Sequence, residues 1–296
     1  MARRRRPGPW DALPAQDGRR FVVTGASAGL GLETARALAA TGAHVVLAVR
    51  NRAKGDGVAA SLPGSVEVRQ LDVADLASVR EFAAGLGAVD VLINNAGVLA
   101  VPWALTADGF ETHLATNHLG HFALANLLLP RLTDRVVVIS SDAHYRGELD
   151  LDDLHWQRRD YKPFAAYGAS KLANLLFLAE LQRRLTAAGS SLRVTGAHPG
   201  STATAITGST GSRTKTWIGR WGHRLVGMPP WKGALTTLYA ATMDVPGNTF
   251  IGPGGPMEMV GWPTGVGRSR EASDPDLAKA LWSRSEELTG VRFPLT

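Results

Sequence analysis

Not one of the 296 residues is cysteine, which excludes disulfides, thiolate catalysis and cysteine-ligated zinc. No stretch of about 18 apolar residues occurs, so no membrane-spanning helix is expected. The start of the chain has no apolar run of the kind a secretory signal needs: Met1 to Pro9 leads into Trp10, Asp11 and Pro14. These absences read as a soluble, cytoplasmic protein with no membrane partner. Acidic residues are outnumbered 26 to 32, for a net charge of +6, yet Arg3, Arg4, Arg5 and Arg6 supply four of those charges. The balance without them, about +2, is that of an ordinary solvated surface, and no nucleic-acid partner is expected. His-Glu-x-x-His is also absent, and no carboxylate stands at ligand spacing from His118, His121 or His144, so these read as structural histidines and no metal site is expected.

What the chain does hold is a regular rhythm. Short apolar runs at 21–24, 44–49, 66–71, 89–93, 136–140 and 192–197 alternate with helical patterns at 30–40, 75–84, 109–129 and 164–185. A seventh strand is expected at 249–251, and further helices at 231–243 and 274–288, the last started by Ser273 or Asp274 and stopped by Gly290. Strands this uniformly apolar are buried on both faces. The expected fold is therefore a single-domain α/β Rossmann fold, a doubly wound parallel sheet of six to seven strands with helices on both faces. Residues 1–18 read as a basic, flexible tail and 19–296 as one dinucleotide-binding domain. The rhythm fails between 202 and 230, where Gly, Ser and Thr are frequent. Residues 204–230, with Trp217 and Trp221, read as a cover over a substrate pocket.

Two motifs carry the chemistry. Thr24-Gly-Ala-Ser-Ala-Gly-Leu-Gly31 follows a strand and opens a helix, where glycines let backbone approach a pyrophosphate at a helix N-terminus. Its Gly-x-x-x-Gly-x-Gly spacing differs from the common Gly-x-Gly-x-x-Gly fingerprint. At the end of the second strand, NAD-binding folds place an acidic residue against the ribose 2′-hydroxyl; here the chain reads Ala48-Val49-Arg50-Asn51-Arg52. An arginine there pairs with a 2′-phosphate, so NADP(H) is the expected cofactor, with Arg50 as the main contact and Asn51 or Arg52 in support. The second motif is Tyr167-Gly-Ala-Ser-Lys171, whose ends share one helix face. There the lysine charge favours the phenolate and brings the tyrosine toward the range of an acid–base catalyst. Asp72-Val73 and Asn94-Asn95-Ala96-Gly97 fall at strand C-terminal ends, where open α/β sheets bind ligands.

The order Gly25-x-x-x-Gly29-x-Gly31, Asp72, Asn95-Ala96-Gly97, Asn117, Ser141, Tyr167-x-x-x-Lys171, Pro199-Gly200 resembles that of the short-chain dehydrogenase/reductases over roughly residues 19–290. Thr106-x-Asp-Gly-Phe-Glu, Asn117-His-Leu-Gly-His-Phe122, Ser140-Ser-x-Ala-His144, the long gap from Ser141 to Tyr167, His198-Pro-Gly200 and Leu281-Trp-x-x-Ser-Glu-x-Leu-Thr-Gly290 are similar to the retinol-dehydrogenase-like branch. The resemblance implies a carbonyl or alcohol substrate and a catalytic set of Asn117, Ser141, Tyr167 and Lys171. In that set Tyr167 is the proton donor, Ser141 a hydrogen-bond donor to the carbonyl oxygen, Lys171 a partner of the nicotinamide ribose and Asn117 the holder of a water. It further implies that Gly25, Ser27 and Leu30, with Gly29 and Gly31, line the diphosphate. Asp72 and Val73 would meet the adenine, Asn95, Ala96 and Gly97 the ribose, and Pro199, Gly200, Thr202 and Thr204 the nicotinamide amide. His144 stands close enough to Ser141 to touch substrate. Two departures stand out: Ala28, where many NADP-preferring relatives carry a basic residue, and Thr202, where an apolar residue is frequent. The branch leaves homodimer, homotetramer, monomer and membrane-associated forms open. A non-catalytic dinucleotide sensor or scaffold has no need of an aligned Tyr–Lys pair, and a serine hydrolase would need the Gly-x-Ser-x-Gly elbow that is absent.

Overall fold

A computed structural model describes residues 13–201 and 228–295. Most of the tail expected at 1–18, the expected nicotinamide contacts Thr202 and Thr204, and Trp217 and Trp221 of the expected cover lie outside them. Within the described residues the elements run β1 (Arg20–Thr24), α1 (Gly29–Ala40), β2 (His44–Val49), α2 (Arg52–Ala59), β3 (Ser65–Gln70), α3 (Leu76–Ala84) and β4 (Val89–Asn94). There follow a π-helical turn at Leu114–Leu119 continuous with α4 (Gly120–Leu128), then β5 (Leu132–Ile139), α5 (Pro163–Ala187), β6 (Arg193–Ala197), α6 (Pro230–Thr242), β7 (Phe250–Pro253), β8 (Pro263–Gly265) and α7 (Pro275–Thr289).

The strands form one sheet in the order β3-β2-β1-β4-β5-β6-β7-β8, parallel except for β8, which runs antiparallel to β7. The expected six to seven strands thus become eight. The extra one has three residues, Pro263, Thr264 and Gly265, too few and too polar to form a readable run.

Period-two alternation splits the core in two. Val22, Val46, Leu92, Val136, Val138 and Val194 face α3, α4, α5 and α7. Phe21, Val23, Val45, Leu47, Val91, Ile93 and Val137 face α1 and α6. Chain order reverses between β1 and β4, which lie side by side in the sheet with the register Val22–Leu92. At such a switch point the loops leaving the strand ends diverge to opposite faces and leave a crevice. The glycine-rich turn, the 95–97 loop and Ser141 all sit at that edge.

Candidate active site

The turn after β1 is shaped by close backbone approach. Gly25 has φ +68 and its N–H donates to Ala48 O (2.8 Å), while a Cβ there would sit 2.9 Å from Ala96 Cα. A Cβ on Gly31 would lie 2.5 Å from Asn95 Nδ2, so the start of α1 packs directly on the 95–97 loop. Ala28, the N-cap of α1, is extended and no side chain caps the helix, leaving first-turn N–H groups for another acceptor. Thr24 ties the turn to the loop: its hydroxyl accepts from Asn95 N (2.8 Å) and Ala96 N (2.9 Å), and Asn95 Nδ2 donates to Thr24 O (2.7 Å). Ser27 is half-buried and Leu30 buried within this turn.

Arg50 ends β2 exposed and makes no ion pair among the described residues. Asn51 caps α2 by accepting from Lys54 N (2.9 Å), and Arg52 lies 4.0 Å from Asp56. Of the three, Arg50 alone keeps its whole side chain uncommitted. Asp72 accepts from Ala74 N (2.9 Å) and so shapes its own turn, with Val73 buried behind it.

Asn117 sits in the π-helical turn, wholly buried. Its amide holds the loop after β4, accepting from Val98 N (2.8 Å) and donating to Val98 O (3.1 Å) and to Ser170 Oγ (2.8 Å). Its carbonyl accepts from His121 Nδ1 (3.1 Å), and the other imidazole nitrogen receives the Thr24 hydroxyl (2.9 Å). The Nδ1 proton therefore fixes the tautomer. Burial, followed by the Lys171 charge, pushes His121 down to about 4, so the imidazole stays neutral. His118, pushed down to about 3 by burial, reaches Ser285 Oγ (2.9 Å) on the far side of the helix. Neither histidine belongs to a metal cluster; among the described residues there is none.

Ser141 follows β5 and caps a single 3₁₀ turn, Asp142–Arg146, by accepting from Ala143 N (3.2 Å); its hydroxyl donates to Asp142 Oδ1 (2.7 Å). Tyr167 and Lys171 project from one face of α5, with the ammonium 5.6 Å from the phenol ring centre. Burial pushes the Tyr167 phenol up to about 12, a hydrogen bond with Ser141 pulls it down, and Asp142 adds a smaller upward push; the expected lowering by Lys171 is not found, because burial outweighs every group that favours the phenolate. Burial alone pushes Lys171 down to about 8; its Nζ donates to Ile139 O (3.2 Å) at the end of β5. Gly97 closes the group, since a Cβ there would be 3.1 Å from Asn117 Oδ1 and 3.7 Å from Lys171 Nζ. Asn117, Ser141, Tyr167 and Lys171, drawn from three elements, thus meet at one sheet edge. A neutral phenol beside an ammonium and a hydroxyl is suited to giving up a proton and retaining the charge left behind.

His144 is buried, with Nδ1 donating to Ser141 O (2.6 Å) and Nε2 accepting from Ser269 N (3.1 Å). Nδ1 thus holds the Ser141 backbone and Nε2 the Ser269 backbone. Pro199 and Gly200 leave β6 close to the 254–262 loop; Gly200 has φ +65 and is crowded by Met259 O and Glu258 O. Three residues with a bearing on the site were not singled out in the sequence. Glu111 and His113 precede the Asn117 turn and Tyr161 precedes α5, and they converge beside Tyr167. Glu111 ends the Thr106-x-Asp-Gly-Phe-Glu stretch and Tyr161 lies in the gap from Ser141 to Tyr167, with no role given to either, and nothing in the sequence marks His113.

Comparison with known proteins follows the same lines. A family model described as short chain dehydrogenase matches residues 19–152. The chain is similar to "Retinol dehydrogenase 13" of Homo sapiens, 40% identical over 297 residues that cover 94% of this chain and 86% of that protein. It is 39% identical to "Polyprenol dehydrogenase" of Mus musculus over 303 residues, with 94% and 86% covered. A solved structure of a putative uncharacterized protein from Mycobacterium Paratuberculosis is 52% identical with a TM-score of 0.85, covering 97% of this chain and 98% of that one. A short chain dehydrogenase from Burkholderia cenocepacia, solved in complex with NADP, is 25% identical with a TM-score of 0.60 over 79% of this chain and 95% of its own.

Proposed function

The chain belongs to the short chain dehydrogenase family, an oxidoreductase family acting on carbonyl and alcohol groups with nicotinamide dinucleotides, and we propose that it prefers NADP(H) and uses Tyr167 as general acid and base. The observation that carries this reading is the meeting of the Tyr167 phenol, the Ser141 hydroxyl and the Lys171 ammonium at the β5 end of the switch-point crevice.

The residues fit the cofactor. The uncapped start of α1, with Gly25, Ser27, Gly29, Leu30 and Gly31, suits a diphosphate, and the Arg50 guanidinium, without an ion pair among the described residues, suits a 2′-phosphate, with Asn51 beside it. Asp72 and Val73 would border the adenine, Asn95, Ala96 and Gly97 the adjoining ribose, and Pro199 and Gly200 the nicotinamide. When bound, NADPH supplies a hydride to the carbonyl carbon. Tyr167 then gives its proton to the carbonyl oxygen, and Ser141 donates a hydrogen bond to the same oxygen. With its pKa near 12 the phenol holds that proton at neutral pH, and Lys171, at about 8, is still mostly cationic there and stabilises the phenolate that remains. Asn117 acts by holding Val98 and Ser170 around this group. Alcohol oxidation is the reverse, with Tyr167 as base.

The test is a spectrophotometric screen of NADPH and NADH oxidation against aldehydes, ketones and retinoid-like enals, with 4-nitrobenzaldehyde as a general probe. The expected result is carbonyl-dependent consumption of NADPH, faster than that of NADH at equal concentrations. Cofactor binding with no turnover on any carbonyl would instead favour a sensor or scaffold.

A further inference from the structure

The long excursion between Ser141 and Tyr167 has no part in the chemistry above, yet it delivers Trp156, Arg159 and Tyr161 to the flank of the catalytic helix. Three polar side chains meet there. Glu111, 1% exposed, accepts from the backbone N–H groups of His113 (2.9 Å) and Leu114 (2.8 Å), from His113 Nδ1 (2.9 Å) and from the Tyr161 hydroxyl (3.0 Å). A carboxylate this deep is tolerated only when its lone pairs are filled, and four donors fill them. Burial alone pushes the Glu111 carboxyl up; the His113 and Leu114 hydrogen bonds outweigh it and hold the group below the usual range.

His113 is wholly buried and accepts from Val101 N at Nε2 (3.3 Å), so its proton is on Nδ1 and the ring is fixed in one tautomer and orientation. Tyr161 Oη also lies 3.1 Å from Val101 O, an alternative acceptor for the same proton, in the loop that leads from Gly97. The ring of His113 meets that of Tyr167 edge to face, with centroids 6.2 Å apart at 66°. Behind it, Tyr161 meets Trp156 at 5.7 Å and 82°, and the Arg159 guanidinium covers Trp156 at 3.8 Å. A line of rings therefore runs from the excursion to the phenol. Ser141 and Lys171 approach the same phenol from β5 and α5.

We propose that Glu111, His113 and Tyr161 form a brace that holds the Tyr167 ring in line with Lys171 and Ser141. They are positioning residues acting through that ring. The proposal rests on Tyr167 being the proton donor. Proton transfer is sensitive to placement, a misplacement of about 1 Å costing on the order of a hundredfold in rate, and a ring held by a saturated buried network has little freedom to drift.

Tyr161→Phe is the gentlest probe, because it keeps the ring against Trp156 and leaves Glu111 three N–H donors. Single-turnover NADPH consumption with 4-nitrobenzaldehyde is measured for wild type, Tyr161→Phe, Glu111→Gln, Tyr167→Phe and the Tyr161→Phe/Tyr167→Phe pair, alongside NADPH Kd and Tm. The brace predicts a rate five- to a hundredfold lower in Tyr161→Phe and Glu111→Gln, with NADPH Kd within about twofold of wild type. In the Tyr167→Phe background Tyr161→Phe should cost nothing more. Wild-type rates in Tyr161→Phe and Glu111→Gln, with Tyr167→Phe inactive, would overturn the brace alone. A loss in Tyr161→Phe that persists undiminished in the Tyr167→Phe background would overturn it too, by showing action elsewhere. Tyr167→Phe as active as wild type would instead remove the proton-donor reading beneath it.

Discussion

Cofactor preference turns on one side chain in this account. Arg50 stands at the β2 end, exposed and without an ion pair among the described residues, while Asn51 is committed to the α2 cap and Arg52 lies near Asp56. An arginine–phosphate contact of the charge-assisted kind is worth roughly 1.5–3 kcal/mol. Arg50→Asp should therefore weaken NADPH binding by at least about tenfold and leave NADH binding equal or tighter, as measured by fluorescence titration; equal NADPH affinity in the variant would rule the contact out. At this scale the sequence told most where the chemistry is local. Tyr167 and Lys171 lie one helical turn apart, and their pairing follows from helix geometry alone. Tyr161 and His113, 48 positions apart, and Thr24 and His121, 97 apart, come together only through the sheet order, and no spacing rule announces them. His144 sits beside Ser141 as its spacing implied, but with both ring nitrogens occupied by backbone groups it holds the Ser141 carbonyl in place and has neither nitrogen free for substrate.

Among elements, the readable ones were those whose apolar positions are packed on the sheet. α2 escaped notice because Arg52-Ala-Lys-Gly-Asp-Gly carries two glycines and three charges; it forms because Asn51 caps it and Gly55 lets it settle onto Val49 and Val68. β5 begins at Leu132, earlier than its apolar run, since Asp134 gathers Arg19, Arg135 and Arg193 and keeps a polar strand start in register. The 109–129 pattern read as one helix, whereas the structure opens a π-helical turn at Leu114–Leu119 that seats Asn117 against Val98. Directly after it, Gly120 allows the helix to press on the loop that follows β3: a Cβ there would run into the Val73 carbonyl. Gly120→Ala should thus displace α4 and destabilise the protein by about 1–3 kcal/mol or more, the usual range for overpacking, despite the better helix propensity of alanine. A chemical-denaturation midpoint equal to or above that of wild type would contradict this contact.

For the whole molecule, the doubly wound sheet and its two-sided core were legible because strands buried on both faces read as unbroken apolar runs, and because alternating βα units admit few arrangements. The eighth strand was not, being three residues long and held by the hairpin after β7. What the global order adds is the switch point between β1 and β4, which turns scattered motifs into one site: the glycine turn, the 95–97 loop, the Asn117 turn and Ser141 converge there, and α5 brings Tyr167 and Lys171 to them. Among the described residues no helix is long and apolar enough to cross a membrane, so nothing in these elements anchors the site to a bilayer as a spanning segment. The central claim is that this convergence makes Tyr167 the proton donor in carbonyl reduction. It is tested most directly by the single-turnover rate of NADPH consumption in Tyr167→Phe, with NADPH Kd measured on the same preparation. The expected result is a rate lower by roughly 10²–10⁴ with Kd changed by no more than about twofold; a phenylalanine variant that turns over near the wild-type rate would show that the proton comes from elsewhere.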